Sequence, residues 1–138
     1  MLGNQTLVAF IATSDAARAR SFYEDTLELR LVSLDPYALV FDANGTTIRI
    51  QKVDGLKPQP FTALGWTVDD IESVVTALNE KRVACERFPG MDQDGLGVWL
   101  APSGARVAWF KDPDGNLLSI TQLESVADRQ FRAARPVQ

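Results

Sequence analysis

Few side chains in this chain have the type and setting to do chemistry. Asp112 and Asp114 flank Pro113 in Asp112-Pro113-Asp114-Gly115-Asn116, close enough together to suggest an acid/base pair. Their setting favours a structural part. Pro presets one turn dihedral, Gly or Asn takes a positive one, and Asp in such turns accepts hydrogen bonds from nearby backbone amides. Cys85 is the single cysteine, so no intramolecular disulfide can form; it reads as a small, partly buried residue with no base to activate it. Histidine is absent altogether. Zinc, non-haem iron, nickel and copper sites lean on imidazole, and Ser or Cys nucleophiles usually need it as base, so most common catalytic constellations are ruled out. What remains is Arg49, with Thr47 and Gln51 at spacing two, and Ser119 with Thr121 at the same spacing.

The elements that carry these residues come twice. An apolar run at 7–12 passes into Thr13-Ser14-Asp15, a strand followed by a helix capped by Ser14 or Asp15, with Ala19, Phe22, Tyr23 and Leu27 at helical spacing. Three strands follow at 29–34, 37–41 and 46–53, separated by Asp35-Pro36 and Asn44-Gly45. A Pro- and Gly-rich linker fills 54–60, and the pattern restarts with a strand at 61–68. Asp69 or Asp70 then caps a helix bearing Ile71, Val74, Val75 and Leu78 at i, i+3, i+4 and i+7. Strand candidates at 85–88, 98–101, 106–111 and 117–122 complete the second copy, with a mobile polar loop expected at 89–95. The tail at 125–135 reads either as a short helix docking Val126 and Phe131 or as a loose terminus.

The repetition is explicit in the letters. Asp42-Ala43-Asn44-Gly45-Thr46-Thr47-Ile48-Arg49-Ile50 superimposes on 112–120 at one constant offset, and 13–15 superimposes on 68–70 at another. We expect one domain of two modules, 5–54 and 61–122, with a tail at 123–138. The expected fold class is α+β: two tandem βαβββ modules forming a curved, partly open mixed sheet around a cavity, with helices outside.

Strand alternation assigns the faces. Ile48, Ile50, Leu118, Ile120, Val40 and Phe110 are expected under the helices. The opposite set holds Val8, Phe10, Ala12, Tyr37, Leu39, Thr47, Arg49 and Gln51 in the first module, and Ala63, Gly65, Thr67, Val107, Trp109, Leu117, Ser119 and Thr121 in the second. Aromatic and aliphatic side chains with a few placed polar groups suit an apolar ligand pocket. The candidate ligand-binding residues are Phe10, Tyr37, Leu39, Thr47, Arg49, Gln51, Trp99, Trp109, Ser119 and Thr121. Arg49 reads either as a clamp for an anion or carbonyl or as the ion-pair partner of Asp42 or Glu28. Trp99 and Trp109 read either as a stacking platform or as core or interface filling, and Tyr37 and Phe10 as pocket lining or inter-module packing.

Fourteen basic against eighteen acidic residues give a net charge of −4, which argues against nucleic acid and favours a cationic or neutral ligand. No apolar run approaches a bilayer-spanning length, so no membrane partner is expected. Met1-Leu2-Gly3-Asn4-Gln5-Thr6 lacks the basic start and long apolar core of a signal peptide; the expected location is cytoplasmic.

Two βαβββ modules, Ser21-Phe22-Tyr23 followed by Leu27-Glu28-Leu29, and Phe110-Lys111-Asp112-Pro113-Asp114-Gly115-Asn116 near the end resemble the vicinal oxygen chelate superfamily. That superfamily includes glyoxalase I, extradiol dioxygenases, fosfomycin-resistance enzymes and bleomycin-resistance proteins. Its enzymes hold a divalent metal with His or Glu from the first and last strand of each module. By this resemblance, the four positions fall on Val8, Arg49, Ala63 and Ser119, none a good ligand. The chain therefore resembles the metal-free, bleomycin-resistance-like branch, in which two chains pair. The implied protein is a metal-independent homodimer, without cofactor, that binds or sequesters a small molecule of aromatic or cationic character and does no chemistry on it. The alternatives are a lyase, isomerase or dioxygenase-like enzyme with a non-standard site, and an accessory or regulatory protein using the sheet face for a partner.

Overall fold

The computed structural model describes residues 1–133. The chain divides into two compact units. One comprises Met1–Leu64 with Asp112–Leu117, the other Gly65–Lys111 with the chain from Leu118 onward.

In the first unit, β1 (Val8–Thr13) leads to α1 (Ala16–Ser21), continued by a π-helical segment (Phe22–Thr26). Asp15 caps α1 by accepting the Arg18 amide at 3.2 Å. There follow β2 (Arg30–Leu34), β3 (Ala38–Ala43) and β4 (Thr46–Lys52), in the order β1-β4-β3-β2, with β1 parallel to β4 and the other pairs antiparallel. Asn44 and Gly45 both have positive φ, at 49° and 93°, giving the two-residue turn whose twist matches that of the strands it joins. One face of the sheet is buried by Ile11, Leu39, Phe41, Ile48 and Ile50, and Tyr23 of the π segment lies against Phe41 with ring centroids 6.0 Å apart.

The turn Asp112–Asn116 is bonded into this first unit. Buried Asp112 accepts the Asp114 and Asn116 amides on Oδ1, and the Tyr23 hydroxyl (2.7 Å) and Asn116 Nδ2 on Oδ2. Asn116 Nδ2 also donates to the Ala12 carbonyl, and Asp114 accepts from the Thr13 hydroxyl and from both the amide and the hydroxyl of Ser14. The two aspartates fix a turn, as their setting suggested. Within this unit the Tyr23–Asp112 bond ties the π segment to the turn.

In the second sheet, β5 (Thr62–Thr67), β6 (Trp99–Leu100), β7 (Arg106–Lys111) and β8 (Leu117–Gln122) lie in the order β5-β8-β7-β6. Between β5 and β6 runs α2 (Ile71–Glu80), capped by Asp70 and packed on β7 through a face that buries Ile71, Val75 and Leu78. Each half is thus a βαβββ module, and the strands form two four-stranded mixed sheets. The segment 85–88 forms no strand, although the Glu86 amide still donates to the Trp109 carbonyl, and the expected strand at 98–101 is only two residues long. A last helix, α3 (Val126–Ala133), has Val126 61% exposed, so that residue does not dock. The Phe131 side chain and residues 134–138 lie outside the described residues.

One face assignment is overturned. Leu39 is fully buried opposite Ile50, on the face of Phe41, whereas Val40 stands opposite Arg49 on the other face. The cause is turn length. In the first module two residues join the strands; in the second, the Asp112 amide bonds the Asn116 carbonyl and leaves three residues in the turn. A constant offset holds after the turn, but before it the copies differ by one residue, and a one-residue slip exchanges the faces of a strand. Val40 corresponds to Trp109, not to Phe110.

Candidate functional site

Because β1 runs parallel to β4 and β3 antiparallel to it, Arg49 at the centre of β4 has Phe10 on one side and Val40 on the other. Thr47 lies between Val8 and Asp42, and Gln51 between Ala12 and Ala38. This open face exposes 55% of Phe10 and 40% of Val8, while Arg49 and Thr47 are half-buried and Gln51 is exposed. The face sets Val8, Phe10, Ala12 and Val40 around Arg49, with Thr47, Gln51 and the Arg30–Asp42 pair beside them.

The guanidinium of Arg49 has no hydrogen-bond or ion-pair partner among the described residues. Asp42 pairs instead with Arg30, at 3.8 Å. Asp35 feels the Arg49 charge from further away. Its carboxyl is held below the usual range first by the amides of Tyr37 and Ala38, with smaller contributions from Arg49 and Lys52. A half-buried guanidinium has lost part of its water shell and gained no protein acceptor in return, which makes it a ready receptor for an anion or carbonyl.

Tyr37 lies outside β3 and is 76% exposed; its amide donates to Asp35 and its carbonyl accepts from Lys52. Leu39, buried on the helix side, is not on the open face.

On the second sheet the hairpin closed at Asp112 and Asn116 counts outward to set Trp109 across from Ser119 and Val107 across from Thr121, in step with the buried pairs Phe110 with Leu118 and Ala108 with Ile120. Trp99 pairs with Val107 and touches Trp109, with centroids 6.1 Å apart. Phe88 meets Trp109 edge-on at 5.4 Å. A Cβ on Gly65 would fall 2.6 Å from Ser119 Oγ, which places Gly65 beside Ser119 as Phe10 is beside Arg49.

Trp99, Trp109, Ser119 and Thr121 are thus brought together in one unit, and Phe10, Thr47, Arg49 and Gln51 in the other. Sequence reasoning missed Val40, through the turn-length slip, and also Phe88 and Gln93. The loop 89–97 is bonded rather than open: Gln93 accepts the Phe88 amide and donates to the Glu86 and Gly97 carbonyls, and Asp94 accepts the Leu96 and Val98 amides. No period marks a residue whose partners are loop backbone.

Two βαβββ modules, each with a sheet covered on one side and an open, partly apolar face on the other, define the class of protein. A family model, the glyoxalase/bleomycin resistance protein/dioxygenase superfamily, matches residues 5–120, and the chain belongs to that superfamily. It is 29% identical over 130 residues to the uncharacterized protein YraH of Bacillus subtilis (strain 168), covering 82% of this chain and 94% of that one. Among solved structures, a superfamily member from Sphaerobacter thermophilus DSM 20745 is 27% identical with a TM-score of 0.67, covering 85% of this chain and 95% of that one. TnmS3, an antibiotic binding protein from Streptomyces sp. CB03234, is 25% identical with a TM-score of 0.64, covering 88% and 97%.

The donor set does not fit the divalent metal of the superfamily's enzymes. Val8 and Ala63 have no donor atom, Arg49 is a permanent cation and Ser119 offers one weak hydroxyl. Among the described residues no group of three His, Cys, Asp or Glu side chains could hold a metal ion. Among the described residues no helix is long and apolar enough to cross a membrane.

Proposed function

We propose that the protein binds a small molecule without a metal and leaves it chemically unchanged, holding an anionic or carbonyl group of the ligand at Arg49 against Phe10 and Val40. The observation that carries this reading is the half-buried guanidinium without a partner, set between Phe10 and Val40. At that face Arg49 acts locally against the net charge of −4, because it sits within contact distance of a bound group while the nearby Asp42 carboxylate is paired with Arg30. The likeness to an antibiotic binding protein supports binding rather than turnover. A chain with no histidine is also poorly supplied for general acid/base work. In this reading two chains pair, as the bleomycin-resistance likeness implies, and the protein acts in the cytoplasm.

The test uses 2-naphthoate, a flat apolar body with one carboxylate, against the neutral alcohol 2-naphthalenemethanol, in calorimetric titrations. The native protein is expected to prefer the carboxylate. Hydrogen bonds to charged groups contribute about 1.5–3 kcal/mol, so Arg49→Ala should weaken naphthoate binding roughly 10- to 100-fold and barely change the alcohol. Equal loss of both probes, or a large fall in melting temperature, would make Arg49 structural.

A further inference from the structure

The open face of the second sheet holds a second set of groups that the Arg49 reading leaves unused. Trp109, Trp99 and Phe88 form a contiguous half-buried aromatic cluster. Neither indole N–H has a hydrogen-bond partner among the described residues, and neither does the hydroxyl of Ser119, which stands across from Trp109. An indole N–H can only donate, so the two indoles and the hydroxyl together offer a surplus of donors beside aromatic faces. Charge nearby is already committed. Lys111 pairs with Glu86 at 3.3 Å, and Arg87 donates to the carbonyls of Asp94 and Gly95.

Two residues hold this arrangement in place. Gln93, through its three bonds to the loop backbone, fixes the segment that delivers Phe88 at one end and leads into Trp99 at the other. Gly65 has no positive φ that would call for glycine, and a side chain there would meet Ser119 Oγ at 2.6 Å. In a strand interior, such a glycine marks close approach. Its absent Cβ lets the hydroxyl lean over the β5 backbone, where the first module has the bulk of Phe10.

We infer that this face is a separate subsite for an uncharged, flat aromatic ring system bearing a hydrogen-bond acceptor such as a ring carbonyl. The rings stack on the indoles, the acceptor takes the unpartnered donors, and Gly65 and Gln93 are positioning residues. The inference stands apart from the Arg49 reading, because an uncharged ligand makes no ionic demand on a guanidinium.

The probes are 9-fluorenone and its hydrocarbon counterpart fluorene, followed through the three indole N–H signals in 1H–15N spectra. Trp66 is an internal control, because strand alternation puts it on the opposite face of β5 from Gly65. Fluorenone should move the Trp99 and Trp109 signals saturably and leave Trp66 in place, binding about fivefold more tightly than fluorene, the worth of one neutral hydrogen bond. Ser119→Ala, or Gly65→Ala acting through the Ser119 rotamer, should narrow that preference while the spectrum stays folded. Three signals moving alike, no saturable movement, or equal affinity for the two probes would overturn the inference.

Discussion

Tyr23 is completely buried with its hydroxyl on Asp112, and its ionisation is pushed far above the ordinary value of 10.0, first by burial, then by the Asp112 charge and hydrogen bond. A raised folded value means that the native state keeps the phenol proton where the unfolded chain has begun to lose it. The contribution is therefore complete below pH 10 and declines as the pH rises beyond it. Tyr23→Phe removes one donor from a buried carboxylate that still holds Asn116, and should cost about 1–3 kcal/mol in urea denaturation at neutral pH. Above pH 10 the native protein should lose stability more steeply than the variant. Parallel pH profiles for the two would show that the hydroxyl is not coupled to folding. Arg49 is the contrasting case at the same scale: a polar group half out of water without such a partner, which is why the proposed function assigns it to a ligand.

The two hairpin turns show how much an element can hide behind similar letters. Asn44-Gly45 was legible because both residues tolerate positive φ, and the strands it joins fall where the turn places them. The second turn shares the Asp and Gly of the first, but Pro113 and the third turn residue change its register and Asp112 is buried where Asp42 is half-exposed. Leu39 was therefore expected on the open face and Val40 under the helix. Periodicity reads the alternation of a strand; the turn decides which way it starts. The helix caps at Asp15 and Asp70 were legible for the same local reason, whereas the Gln93 loop and the Tyr23–Asp112 bond depend on partners distant in space or lacking any period. At Gly45 (φ 93°) a Cβ would meet nothing within 4 Å, so Gly45→Ala should cost only the left-handed backbone penalty of about 1–2 kcal/mol. At Gly115 (φ 90°) it would also meet Pro58 Cγ at 3.1 Å, so Gly115→Ala should be the more destabilising in thermal melts. Equal losses would mean that Pro58 yields without cost.

For the molecule as a whole, superfamily membership is one statement and superfamily chemistry another. The doubled βαβββ frame was readable from repeated turns and caps, and the family match over residues 5–120 agrees with it. The frame alone does not carry an activity. In the reading proposed here, this chain differs from a metal enzyme on the same frame at four side chains, Val8, Arg49, Ala63 and Ser119, where a guanidinium would repel a bound dication. The central claim is that ligand binding here needs no metal. It is met most directly by titrating 2-naphthoate calorimetrically into protein stripped with a chelator, and again into the same protein supplied with Zn2+ or Mn2+ after removal of the chelator. The account predicts one affinity in all of these titrations. Binding that appears only once the metal is returned, or tightens tenfold or more with it, would contradict the account.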